Sequence, residues 1–152
     1  MKNTIVCSAM ILIAVGGSLW GQKAVPKADI LLEPEWRQIY DDYVPDPGWI
    51  DALKGNLAGV RVEVVLGFWC DDSRNNVPLF LKIVDSLQMP DFKVEFCEVA
   101  RKTAPDQKYY REDLRVEKVP TFIFFADDIE IGRIVENPRE SMLMDMVQIL
   151  LK

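Results

Sequence analysis

The 152-residue chain contains no histidine. This absence excludes Ser-His-Asp and Cys-His catalysis, histidine-ligated metals and histidine-based pH switching. Positive charge is also scarce, since 18 Lys and Arg face 24 Asp and Glu, for a formal net charge of −6 without a basic cluster. That balance argues against a nucleic-acid partner. The carboxylates form no acid–base motif, and we expect neither a metal nor another cofactor.

Long apolar runs are missing as well, and the one apolar stretch lies at the N-terminus. Lys2 precedes a mostly apolar segment from Ile5 to Val15, which small residues follow. This length suits the apolar part of a secretory signal peptide and is short for a membrane span. We therefore predict a signal peptide over residues 1–21, cleaved near Gly21 or Ala24, and an exported protein, periplasmic or secreted. The alternative is an uncleaved membrane anchor.

The remainder of the chain predicts one α/β domain. Residues 22–32 form a polar lead-in, and residues 33–152 alternate helical and strand patterns. The periodicity predicts helices over Glu33–Tyr43, Trp49–Lys54, Cys70–Gln88 and Ser141–Leu151. It predicts strands over Arg61–Phe68, Lys93–Val99, Thr121–Phe125 and Ile129–Val135. The polar residues 101–115 indicate a loop with a short helix. Such alternation predicts a sheet with helices on both faces.

Cys70 lies where the first of these strands ends and the long helix begins, in the string WCDDS. Unpaired N–H groups and the positive end of the helix dipole favour a thiolate there, and the thiolate is the nucleophilic form. Asp71 and Asp72 are like charges that oppose ionisation. Both acids and Ser73 are also ordinary residues of a first helical turn, where they have capping roles.

Three features of the sequence resemble the thioredoxin superfamily. They are Trp69-Cys70-Asp71-Asp72-Ser73, Pro78 within the following helix, and Val119-Pro120-Thr121-Phe122 before a later strand. In that superfamily a strand leads to Trp-Cys-x-x-Cys, a proline kinks the helix and a cis-proline faces the active cysteine. The string WCDDSRNNVPLFLKIVD resembles bacterial members with Trp-Cys-x-Asp-Ser. The resemblance runs from Val60 to the C-terminus and implies a thioredoxin-like α/β fold with a central mixed sheet.

The resemblance makes Cys70 and Ser73 the candidate catalytic positions. A hydroxyl cannot form a disulfide, so Ser73 can only hydrogen-bond the Cys70 sulfur. What remains is monothiol exchange resolved by an external thiol, or shuffling of a client's own disulfides. Cys97 is a candidate resolving thiol, and its alternative is a small apolar residue of the core.

Trp69, Val119, Pro120 and Thr121 are the candidate substrate-binding residues. The resemblance implies that the segment around Pro120 pairs with a client peptide as an added strand would. The expected partners are client proteins or peptides bearing thiols or disulfides, together with an external reductant, and we expect a monomer. Tyr109 and Tyr110 are expected to pack, with a partner-binding patch as the alternative.

Two classes of function therefore stay open. The first is an exported thioredoxin-like protein that performs monothiol thiol–disulfide exchange through Cys70. The second is a redox-silent thioredoxin-like module that binds a peptide between Trp69 and Pro120 without covalent chemistry.

Overall fold

The structure is a computed structural model, and it describes residues 22–152. The predicted signal peptide over residues 1–21 therefore lies outside the described residues. Five strands form one sheet in the order β1-β3-β2-β4-β5. They are β1 (Gln22–Ala24), β2 (Val60–Leu66), β3 (Lys93–Val99), β4 (Thr121–Ala126) and β5 (Ile129–Val135). β2 and β3 are parallel and the other pairs are antiparallel, so the sheet is mixed, as predicted.

Five helices within the described residues accompany the sheet: α1 (Lys27–Ile30), α2 (Pro34–Asp42), α3 (Pro47–Lys54), α4 (Asp71–Leu87) and α5 (Met142–Leu150). Asp46 caps α3 by accepting from the N–H groups of Gly48 and Trp49. Ser141 caps α5, since its side chain accepts from the Met144 N–H. No helix within residues 22–152 is long and apolar enough to cross a membrane.

The larger core lies between one face of the sheet and the helices. Alternate residues of the strands point into it, as the two-residue period of a strand requires. Phe80 of α4 is fully buried at its centre. Its ring centroid lies 5.1 Å from that of Phe122, 6.4 Å from Phe124 and 6.5 Å from Phe96. This aromatic cluster packs α4 against β3 and β4, the two neighbours of β2 in the sheet.

The second face of the sheet carries a smaller core and is where the structure differs from expectation. Its buried members are Val65, Val99, Val116, Val119, Ile123 and Phe125. Every helix among the described residues contributes its buried apolar side chains to the larger core instead. The irregular segment between β3 and β4 supplies the second layer, held by a bridge between Arg111 and Val116. The expected short helix does not form in residues 101–115.

The polar lead-in also differs from the sequence interpretation. Residues 22–24 form β1, which pairs with the last residues of β3. The Val25 N–H extends that pairing to the Phe96 carbonyl at 3.0 Å. The lead-in is therefore an edge of the sheet, and a three-residue strand is too short to show a period in sequence.

Replacing Phe80 with alanine should lower the free energy of unfolding by about 3–5 kcal/mol, because it leaves a cavity between α4 and three aromatic rings. The matched control is Leu32→Ala, whose side chain is 76% exposed. That change should stay within about 0.5 kcal/mol. Urea denaturation followed by circular dichroism measures both, and equal losses would contradict the placement of Phe80.

Candidate functional site

Cys70 is the N-cap residue of α4 and follows β2 after the turn of residues 67–69. Its N–H donates to the Gly67 carbonyl at 2.9 Å, and its own carbonyl accepts from the Arg74 N–H at 3.0 Å. No side chain caps the helix by a hydrogen bond, so the half-buried thiol lies at an uncapped helix N-terminus. This is the position that the sequence predicted.

The segment before β4 lies against the thiol. The Val119–Pro120 peptide bond is cis, as the resemblance implied. The Cys70 Sγ donates to the Val119 carbonyl at 3.1 Å. Val119, Pro120 and Thr121 are buried, and the Thr121 hydroxyl donates to the Lys118 carbonyl at 2.7 Å. The structure thus brings Cys70 and the predicted substrate segment together through a backbone group.

Trp69 is held rigidly beside the thiol. Its Nε1 donates to the Val99 carbonyl at 2.9 Å, which ties the indole to the end of β3. A Cβ at Gly67 would lie 2.6 Å from Cε2 of this indole, so the ring needs a glycine beneath it. Trp69 also contacts Tyr110, with ring centroids 5.8 Å apart. The aromatic pair Trp69–Tyr110 forms one flank of the site.

Two cations lie on this aromatic pair, and sequence reasoning missed both. The Arg101 Cζ is 4.6 Å from the Trp69 ring centroid, and its Nη2 donates to the Trp69 carbonyl at 3.1 Å. The Lys102 Nζ is 4.3 Å from the Tyr110 ring centroid. The adjacent pairs Arg101-Lys102 and Tyr109-Tyr110 in an otherwise irregular segment were the available signal.

Electrostatics link these groups to the thiol. Burial is the main cause that raises the pKa of Tyr110, and the negative charge of an ionised Cys70 raises it further, whereas Arg101 opposes the shift. The charges of Cys70 and Arg101 therefore both act on the Tyr110 hydroxyl.

Asp71 and Asp72 have partners of their own. The Asp71 carboxylate pairs with Arg74 at 3.0 Å, and Arg74 also pairs with Glu35 at 2.9 Å. The Asp72 carboxylate accepts from Asn137 Nδ2 at 3.1 Å. The like charges that the sequence sets against a thiolate are thus partly compensated, most directly by Arg74.

Ser73 differs from the sequence interpretation. Its side chain is fully buried, and its Oγ accepts from the Gly67 N–H at 3.3 Å. The sulfur of Cys70 bonds instead to the Val119 carbonyl. The reason is that the Gly67 N–H follows the end of β2, and a buried backbone donor needs an acceptor. Ser73 therefore stabilises the turn that carries Cys70.

Cys97 lies in β3, on the face that it shares with Val99, as predicted. It pairs with Val65 of β2 and with Ala24 of β1. Cys70 and Cys97 are both free thiols. Cys97 is half-buried rather than enclosed, and it lies beside Arg111, whose pKa is raised first by Asp113 and also by Cys97. The register places Cys97 beside the interior of β2, before the turn that leads to Cys70.

No group of three or more Cys, Asp and Glu side chains in the described part of the chain is arranged to hold a metal ion.

A family model described as thioredoxin matches residues 24–148. The chain belongs to the thioredoxin family. A search of curated proteins finds no match. Among solved structures, the crystal structure of thioredoxin from Aeropyrum pernix is similar at 12% identity and a TM-score of 0.42. That alignment covers 86% of this chain and 92% of the other. The family match and the mixed sheet confirm the thioredoxin-like fold.

Replacing Gly67 with alanine should displace the Trp69 indole, because the new Cβ overlaps it. We expect loss of the bond to the Val99 carbonyl and a fall of about 1–3 kcal/mol in the free energy of unfolding. The indole N–H resonance in NMR and urea denaturation measure these effects. Gly55→Ala is the control, since a Cβ there meets nothing within 4 Å. An unshifted Trp69 resonance in Gly67→Ala would contradict the packing.

Proposed function

We propose that this chain is an exported thioredoxin-family protein that performs monothiol thiol–disulfide exchange with client proteins through Cys70. The observation that supports it best is the half-buried thiol at the uncapped start of α4. A buried serine occupies the position of a second cysteine. The family suggests a thioredoxin-like redox role in general, and this pair of positions supports the single-thiol form.

The proposed reaction begins when the Cys70 thiolate attacks one sulfur of a client disulfide. A bond forms between the two sulfurs, the client disulfide breaks, and the other client sulfur leaves as a thiolate that takes a proton from solvent. The N-terminus of α4 places unpaired backbone N–H groups beside the attacking sulfur. The Trp69 indole is fixed beside the thiol and offers apolar contact area to the client.

Completion needs a second thiol from outside the site. Ser73 has no sulfur, and its hydroxyl is bonded to the Gly67 N–H. Cys97 pairs with Val65, five residues before Cys70 along the chain. We propose that an external thiolate attacks the Cys70 sulfur and releases the client reduced, after which a second external thiol attacks the first and frees Cys70 as the two external thiols leave as a disulfide. In the alternative route, a second client cysteine attacks the client sulfur, and Cys70 leaves as a thiolate while the client keeps a rearranged disulfide.

A redox-silent binding module is the second candidate. The observation that favours it is the hydrogen bond from the Cys70 Sγ to the Val119 carbonyl. This bond requires the protonated thiol, and exchange has to break it. In such a module the same groove between Trp69 and Pro120 would hold a peptide without covalent chemistry.

Cys70 should form mixed disulfides with clients that persist, because position 73 supplies no attacking sulfur. Ser73→Cys should shorten the lifetime of the trapped species about tenfold or more, since a thiolate then lies one helical turn away. Non-reducing gels with mass spectrometry of acid-quenched samples measure the lifetimes. Ser86→Cys is the control, because it places a new cysteine in the same helix far from Cys70.

Cys70→Ser should abolish trapping, whereas Cys97→Ser should leave it nearly unchanged. An alkylation rate for Cys70 equal to that of a free cysteine, unchanged by Asp71 or Asp72 substitution, would refute activation. The redox-silent module would then be the better proposal.

Export and the monomeric state are part of the same proposal. The support for export is Lys2 followed by an apolar segment too short to span a bilayer comfortably. Mass spectrometry of the protein from its native host should show a new N-terminus near Gly21 or Ala24. An intact N-terminus in the membrane fraction would favour the anchor instead.

A further inference from the structure

The charges around Cys70 are divided unevenly. On the α4 side, Asp71 pairs with Arg74 and Asp72 accepts from Asn137. On the side of the segment before β4, Glu117 pairs with Lys108 and Glu136 with Lys118. Asp71, Glu117 and Glu136 thus have cationic partners within the protein, whereas the amide partner of Asp72 leaves its charge in place.

Arg101 and Lys102 are bonded differently. Arg101 donates to the Trp69 carbonyl at 3.1 Å. Lys102 donates to the carbonyls of Lys108 and Glu117 at 2.5 and 2.7 Å. Within residues 22–152 neither side chain forms a salt bridge with a carboxylate. Backbone carbonyls satisfy donors without cancelling charge, so two uncompensated cations lie on the Trp69–Tyr110 pair in a chain of net charge −6.

We propose that these two cations select client peptides with acidic residues beside the reacting cysteine. This inference rests on the proposed function, because it names the class of client that the Cys70 site accepts. A carboxylate next to the client cysteine would meet Arg101 and Lys102 as the peptide lies over the aromatic pair. A lysine at that place would meet like charge, and such juxtaposition disfavours the wrong partner.

The hydrogen bonds of both cations fix where they lie relative to the thiol and the aromatic pair. Arg101 lies over the Trp69 ring and donates a hydrogen bond to the Trp69 carbonyl, next to Cys70 in the chain. This bond fixes the guanidinium relative to the thiol. Lys102 is fixed between two carbonyls over the Tyr110 ring. Because both cations are already held in place, binding a ligand costs less side-chain conformational entropy than it would with freely rotating surface lysines. The purely structural alternative is that both residues only anchor the irregular segment.

The experiment compares three peptides that differ only beside a single cysteine, with Glu, Gln or Lys on both sides. Each cysteine is blocked as a mixed disulfide with 2-thiopyridine, and release of the thiopyridone reports attack on the peptide sulfur. The full chain carries Cys7→Ser and Cys97→Ser, so Cys70 is the remaining thiol. We expect the Glu peptide to react about tenfold faster than the Lys peptide at low salt. The ratio should shrink as salt is added.

Variants separate the charge from the fold. Arg101→Gln with Lys102→Gln should bring the ratio close to one, while Arg101→Lys should keep most of it because the charge remains. Lys54→Gln with Lys93→Gln is the matched control, since it removes the same net charge from α3 and the start of β3. A ratio of one in the parent protein together with equal binding of the three peptides, or an equal fall of the ratio in the control, would overturn the inference.

A noncovalent binding experiment distinguishes failure of the acidic preference from failure of the proposed disulfide exchange. Cys70→Ser is mixed with the same peptides carrying serine for cysteine, and NMR shifts of the Trp69 indole N–H report binding. If Cys70 reacts no faster than a free cysteine but the Glu peptide still binds more tightly, exchange fails and the acidic preference stands. Equal binding of all three peptides, together with equal rates, overturns the preference alone.

Discussion

The buried side-chain amide of Asn76 is the link on which the arrangement of the site depends. Its Nδ2 carries two hydrogens, and three acceptors lie within hydrogen-bond distance of it, namely the Asp72 carbonyl at 3.1 Å, the Glu136 carbonyl at 3.1 Å and Asn137 Oδ1 at 2.9 Å. The Glu136 N–H in turn donates to the Pro120 carbonyl at 2.7 Å. The first turn of α4 is thereby tied to the segment that carries Pro120. An apolar residue in place of Asn76 would remove its hydrogen bonds to Glu136 and Asn137, at a net cost of about 0.5–1.5 kcal/mol per bond. The contact between Cys70 and Val119 spans these same two elements, so its length depends on this amide.

The sequence predicted the elements with a strong period of their own. The helix expected over Cys70–Gln88 is Asp71–Leu87, and the strand expected over Lys93–Val99 has those bounds. Periodicity failed where structure depends on distant partners. β1 exists because residues 22–24 pair with β3, and the layer over the second face depends on Val116, which is buried and bridged to Arg111. Neither segment has enough regular backbone for its pattern to be visible in the sequence. Helices were therefore expected on both faces of the sheet, whereas in the structure they cover one face and an irregular segment covers the other.

The residues of the site also include some that the sequence predicted and some that it did not. Cys70 and Pro120 were predictable because a motif marks each of them, and Trp69 came with the first. The hydrogen-bond partner of Ser73 was not predictable. The geometry of the turn decides whether its hydroxyl bonds to the Cys70 sulfur or to the Gly67 N–H, and here it bonds to the Gly67 N–H. Arg101 and Lys102 approach the thiol because β3 runs parallel to β2, so that the ends of both strands meet at one edge of the sheet. That pairing is a tertiary property, and an isolated pair of basic residues does not reveal it.

Burial at position 73 constrains any chemistry of Cys70 more than the loss of a sulfur alone does. Ser73 is fully buried behind the turn of residues 67–69, so no client reaches it. If Cys70 exchanges disulfides, the client and the thiol that later displaces it must both approach from the exposed side of the sulfur. That side is bounded by Trp69 and by the segment before Pro120, and Arg101 lies over the Trp69 ring. The charge and shape of this one surface would then govern both half-reactions. A family member with a second cysteine avoids this constraint, because its resolving sulfur attacks from within the protein and leaves the surface to the client.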